Sequence, residues 1–299
     1  MSRLLSQKLN RVARDRTSGA AQLALEAVAA VEDWLKRHPS PSEGELEDVV
    51  VMLLRLQSSM APILRLANVV ALAADSHMRA VALKSGLRGF RGSLEGARGR
   101  IARQFAASLP DHGRVAIATY SFSSTVIGAL TAAKRHVSSV LVAESRPALE
   151  GKLTASKLAH ERVAVQYTTD AALLGLLRSA HALVIGADAV LSHVFVNKIG
   201  TRVACLAARE AGVPVYVLSD STKFLPEELA APFWRPSEGP QELLWNRPPN
   251  GVELRNPLFE HTELDQVRVI TEAGTLDPAG VRGAVESVAV SPRFKRLAD

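Results

Sequence analysis

Six short runs of Val, Ile and Leu in the second part of the sequence constrain the fold more than any other feature. They occupy residues 115–119, 140–142, 163–167, 182–185, 213–218 and 267–271. Stretches with helical spacing lie between them, at 125–134, 156–160, 171–179 and 202–211. Strands that are apolar throughout and alternate with helices predict a parallel sheet covered on both faces. No GxGxxG follows the first run, so the fingerprint of a dinucleotide site is absent. Residues 231–258, with several prolines and Asn250-Gly251, read as an irregular excursion before the last strand.

The first part of the chain has another texture. From about residue 17 to 105, Ala, Leu and Val recur at three- and four-residue spacing, as in AAQLALEAVAAVEDWL and DVVVMLLRLQ. Thr17 or Ser18 can cap the first of these helices, and acidic residues follow the HPSPSEGELED loop, where a helix dipole favours them. The change comes at Leu109-Pro110-Asp111-His112-Gly113. These patterns predict an all-helical N-terminal domain at 1–110 and an α/β domain at 111–299.

Composition narrows the class. A 299-residue chain with 47% hydrophobic and 22% charged residues is ordinary for a soluble globular protein. No apolar run approaches the ~18 residues that a membrane span needs. The N-terminus lacks a continuous apolar core, so it does not read as a secretory signal. The single cysteine, Cys205, excludes an intramolecular disulfide, and a cytoplasmic protein is expected. Residues 1–110 carry 16 Lys and Arg against 10 Asp and Glu. Arg79, Lys84, Arg88, Arg91, Arg98, Arg100 and Arg103 face only Glu95. Such a series can meet nucleic acid, but no aromatic platform is interleaved with it, and a solvated helix face is the favoured reading.

In an open α/β sheet, ligands bind beyond the carboxyl ends of the strands. Here those ends are polar: Tyr120-Ser121, Glu144-Ser145-Arg146, Thr169-Asp170, Asp188 and Asp220-Ser221. Ser123 and Ser124 can either hold an anion at a helix N-terminus or simply cap the helix. Arg146 suits a phosphate, or an ion pair with Glu144 or Glu150. Asp188 can transfer a proton or cap the next segment. Lys198, in VNKIGT, is expected where a helix begins; a cation is disfavoured there unless an anion shares the site. Cys205 lies in the apolar VACLAA and reads as a core residue. The histidines show no metal-ligand spacing, and the sequence calls for no cofactor.

The segments TYSFSSTV (119–126), ESRPALEGKLTASKL (144–158), GADAV (186–190), NKIGT (197–201), STKF (221–224), NPLFE (256–260) and ITEAG (270–274) resemble one known family. It comprises the alpha, beta and delta subunits of translation initiation factor 2B, with methylthioribose 1-phosphate isomerase and ribose 1,5-bisphosphate isomerase. RTSGA (16–20) is similar to the family's phosphate-contacting turn, which brings in Arg16, Gly19 and Ala20 as substrate-binding candidates. The resemblance implies a Rossmann-like domain, usually dimerised, beneath a helical domain. It makes Asp188 a catalytic aspartate, and Asn197 and Lys198 contacts to sugar hydroxyls. The isomerases' cysteine after the first strand is replaced by Ser121, and their Asn-Gly after Gly-Ala-Asp by Ser192-His193. The expectation is therefore a homodimer that binds a sugar phosphate or nucleotide in a degenerate isomerase site, with a regulatory role. An active isomerase using Asp188, with Ser121 in the cysteine's place, is the alternative. A nucleic-acid-associated protein comes third.

Overall fold

A computed structural model describes residues 3–15, 19–56, 60–110, 113–233 and 238–294. Six helices come first: α1 (Arg3–Arg14), α2 (Ala20–Arg37), α3 (Glu43–Leu56), α4 (Ala61–Ala74), α5 (Arg79–Leu94) and α6 (Ala97–Ala107). The first lies ahead of the region that the sequence reads as helical. It buries Leu5, Leu9 and Val12, one narrow stripe at helical spacing. A capping box opens α3: Ser42 Oγ accepts from the Glu45 backbone N–H at 3.3 Å, and the Glu45 carboxylate accepts from the Ser42 N–H at 2.8 Å. Helix α4 buries Ile63, Leu64, Leu66, Ala67, Val70 and Ala71 among others and is apolar nearly all round, as a central helix must be.

The remaining elements alternate. In order they are β1 (Val115–Thr119), α7 (Ser124–Ala132), β2 (Val137–Ala143), α8 (Gly151–His160), β3 (Val165–Thr168), α9 (Asp170–Leu176), β4 (Ala182–Gly186), β5 (Ala189–Val190), β6 (Val194–Lys198), α10 (Thr201–Glu210), β7 (Val215–Leu218), α11 (Glu227–Phe233), β8 (Phe259–Glu263), β9 (Val267–Ile270), β10 (Thr275–Leu276) and α12 (Pro278–Glu286). Seven strands form one sheet in the order β10-β9-β7-β4-β1-β2-β3, parallel except for β10. Ile117, Val140, Val142 and Val184 are fully buried in its core. A second, antiparallel sheet, β5-β6-β8, has no counterpart in the sequence reading. The helical region followed by a mostly parallel α/β sheet is the predicted fold class. Among the described residues no helix is long and apolar enough to cross a membrane.

The chain divides into two compact units, and the division does not fall at one point. The helical unit lies within 1–96, 221–235 and 283–299; the sheet unit lies within 97–220 and 236–282. Helix α6 thus belongs with the sheet. The basic series of 79–103 is interrupted at Gly96, whose φ is 73°, between α5 and α6. Within it Arg79 is ion-paired with Glu43, and Arg91 with Glu32 and Glu95.

Within the helical unit, the C-terminal segment is fastened by polar contacts. Asn68 donates to the Ala289 carbonyl at 2.8 Å and accepts from the Ser291 N–H at 3.0 Å. Arg293, its side chain only 7% exposed, donates to Asp75 and to Glu43, both at 2.6 Å. Hydrogen bonding to Arg293 holds the Glu43 carboxyl below its ordinary 4.5. A group whose pKa is lower folded than unfolded stabilises fully above its unfolded value. That stabilisation is lost as pH falls through the folded one. Arg293→Ala is therefore expected to lower stability at neutral pH, where the charged hydrogen bonds to Glu43 and Asp75 are lost. Denaturant titrations should also show the variant losing less stability than the parent below pH 4.5. A parallel pH dependence would refute the assignment.

Candidate functional site

The sheet order reverses between β1 and β4, and such a switch point is where doubly wound sheets bind ligands. The turn after β1 carries Ser121, Phe122 and Ser123. The loop after β4 carries Ala187 and Asp188. A Cβ added to Gly186 would lie 2.7 Å from Ser123 Oγ, so only glycine lets the two close together. Ser123 caps α7, its Oγ accepting from the Val126 N–H at 3.3 Å, and Ser124 is the helix's first residue.

Ser121 is buried and held from three sides. Its N–H donates to Ser145 Oγ at 2.7 Å, and its carbonyl accepts from Thr154 Oγ1 at 2.9 Å. Its hydroxyl donates to Glu150 Oε2 at 2.8 Å. Ser121, Ser145 and Leu149 adopt φ values of 67°, 61° and 56°. Left-handed backbone costs a non-glycine residue of order 1–3 kcal/mol, and such residues gather at functional sites. Asp170 sets the loop after β2, its carboxylate accepting from the N–H groups of Ser145 at 2.7 Å and Arg146 at 2.8 Å. The exposed Arg146 guanidinium donates to the Leu243 carbonyl at 3.2 Å rather than pairing with Glu144 or Glu150.

Glu150 turns instead to Lys198, whose Nζ lies 2.9 Å from Oε1 and 4.9 Å from the Phe259 ring centroid. Lys198 ends β6; it does not open a helix as the sequence suggested. The helix begins at Thr201, after Gly200 with a φ of 96°. Asn197 is buried beside it, its amide donating to Thr201 Oγ1 at 2.9 Å. Asp188 is half-buried at the mouth of the β5–β6 hairpin, its N–H donating to the Val196 carbonyl at 2.8 Å.

Tyr120, the ionisable residue next to Ser121 in the chain, turns away from it. The Tyr120 hydroxyl donates to the Ile199 carbonyl at 2.9 Å, and burial, with Asp170, pushes its pKa above the usual value. It stays a phenol, and the carboxylate on Ser121 is Glu150. Sequence reasoning took Glu150 only as a surface ion-pair partner, because nothing local places it against a serine 29 residues away. Burial pushes the Cys205 thiol up to about 12, which leaves it inert as a nucleophile. In the helical unit, Gly19 is the residue before α2 and Ala20 its first residue. Arg16 lies outside the described residues.

Known proteins resemble this chain along most of its length. It matches the initiation factor 2 subunit family over residues 16–278. A putative translation initiation factor eIF-2B subunit 2-like protein of Pyrococcus horikoshii is 31% identical over 280 residues, 90% of this chain and 95% of that one. Ribose 1,5-bisphosphate isomerase of Archaeoglobus fulgidus is 35% identical, but over 147 residues, 46% of each chain. The crystal structure of the Pyrococcus horikoshii eIF-2B protein superposes with a TM-score of 0.74 at 28% identity, covering 93% of this chain and 98% of that one. That of 5-methylthioribose 1-phosphate isomerase from the same organism shares the fold, with a TM-score of 0.65 at 17% identity over 98% and 88% of the two chains. A family match that spans both the helices and the sheet makes this chain a member of the initiation factor 2 subunit family.

Proposed function

We propose that the sheet unit binds a phosphorylated pentose or nucleotide beyond the ends of β1, β4 and β6, in a binding or regulatory role rather than a catalytic one. The observation that carries this reading is Ser121, which stands where the resemblance places the isomerases' cysteine and is tied to Glu150. A hydroxyl is a far weaker acid than a thiol. Lys198 and Arg146 supply cations for a phosphate. The similarity points the same way: it is near full length to the initiation factor relative and half-length to the sugar-phosphate isomerase. Ribose 1,5-bisphosphate at 100 times its dissociation constant should add about 2.7 kcal/mol of folding stability. Lys198→Ala and Arg146→Ala should each shrink that gain in a thermal-shift titration. If neither does, the ligand does not sit here.

Glu150 favours a second reading, an active aldose–ketose isomerase. Its carboxylate already accepts the Ser121 hydroxyl proton in a hydrogen bond, so it can relay a proton in concert with Asp188 on the other reacting carbon. The binding reading expects little or no turnover of ribose 1,5-bisphosphate or methylthioribose 1-phosphate, with weak activity gained by Ser121→Cys. Robust turnover that survives Ser121→Ala and disappears in Asp188→Asn would replace it with the isomerase reading.

The same family resemblance supports a homodimer through the sheet unit. Val203 and Leu206 on α10 and Leu176 on α9 are apolar and exposed, a surface that association would cover. Light scattering at micromolar concentration should give about twice the 32.0 kDa of one chain. A monomer at that concentration counts against it.

A further inference from the structure

We propose that the groove between α7 and α8 is a second anion site, taking a small phosphorylated molecule. It rests on no assumption about the crevice at Ser121. The groove has a volume of about 620 Å³, within the ~300–1,000 Å³ of small-molecule sites. Three basic side chains line it: Arg98 from α6, and Lys157 and His160 from α8. Glu161 is the one acidic residue in the lining, and Ile127 and Ala132 of α7 form an apolar wall.

Two of the cations are pre-oriented by contacts that a merely solvated face does not need. A Cβ on Gly128 would meet Arg98 Cδ at 2.9 Å, so the arginine stem lies directly across α7 where only glycine leaves room. Lys157 Nζ is held 4.9 Å over the Phe122 ring. No ion pair engages Arg98, Lys157 or His160 among the described residues. Cations held in place without a carboxylate partner are unspent for a ligand. An arginine fork beside a lysine point charge suits a phosphate, which offers several acceptor oxygens and up to two negative charges. The Ile127 and Ala132 wall then faces the organic part of the molecule.

Inorganic pyrophosphate is a suitable probe on the full chain at physiological ionic strength. The methyl resonance of Ile127 should shift along a saturable curve as pyrophosphate is added, and because α7 also opens at Ser123 and Ser124 the comparison with Arg146→Ala separates this groove from the crevice. Arg98→Ala combined with Lys157→Ala should weaken binding by about tenfold or more. Both side chains are exposed, so folding should be unaffected. Gly128→Ala, which displaces the Arg98 stem, should weaken it as well, and Arg146→Ala should leave it unchanged. An Ile127 methyl that does not move, a double variant that binds like the parent, or a response lost in Arg146→Ala would each overturn the assignment.

Discussion

Glu150→Ala should destabilise the protein by about 3 kcal/mol, the cost of leaving one partner of a buried pair alone. The Lys198 side chain is only 5% exposed and Glu150 31%, so it is the ammonium that is stranded away from water. Glu150→Gln separates charge from contact. The amide oxygen can still accept from Ser121 or Lys198, so the loss should fall to about 1 kcal/mol. The same change removes a negative charge that lies 2.9 Å from the cation a phosphate would use. Phosphorylated sugars should then bind about fivefold more tightly or better, since a phosphate on Lys198 would lie roughly 4 Å or more from that carboxylate, where two unit charges repel by about 1 kcal/mol even in bulk water. Urea denaturation and titration calorimetry with ribose 1,5-bisphosphate read the two effects separately. A Glu150→Ala protein as stable as the parent would show that the pair does not hold Lys198. In the isomerase reading Glu150→Gln has a further consequence, loss of turnover, because an amide cannot act as the base that works with Asp188.

A larger effect is expected one residue further on. A Cβ on Gly151 would lie 1.8 Å from the Ala143 carbonyl oxygen and 2.8 Å from its carbon. Both obstacles are backbone at the end of β2, so neither can swing aside as a flexible side chain would. Gly151→Ala must push the start of α8 away from the sheet and break the 3.1 Å hydrogen bond from the Gly151 N–H to the Glu144 carbonyl. A loss above about 4 kcal/mol is expected, in the range of severe overpacking. Because Glu150 moves with Gly151, the contacts to Ser121 and Lys198 should fail together, and ligand response with them. Gly89→Ala is the matched control. It lies inside α5 with nothing within 4 Å of the added atom, and it should be neutral or stabilising by up to about 1 kcal/mol. Equal effects of the two substitutions would remove the steric argument.

The sequence by itself determined the layers. Strand β1 occupies the residues that the apolar run at 115–119 marks, and β4, β7 and β9 lie within a residue or two of theirs. Strands β1, β4 and β7 are covered on both faces, so burial selects Val, Ile and Leu there and the signal is continuous, while β9 exposes only Arg268. The same logic put the polar residues at strand ends, and with them Ser121 and Asp188. The small sheet β5-β6-β8 left no such trace. β5 is two residues long, and β8, FEHTE, is mostly polar because it is partly exposed, so periodicity cannot flag it. That missing strand pairing is why Lys198 read as the start of a helix when it ends β6. What only the tertiary structure decided is the partner of each polar group. Glu150, Ser121 and Lys198 are separated by 29 and 48 positions, and local spacing carries no information across such distances. Their meeting is set by the parallel pairing of β1 with β2 and by the glycine at 151, which lets α8 start hard against β2. Long-range contacts of this kind depend on how strands stack, which a residue pattern does not encode.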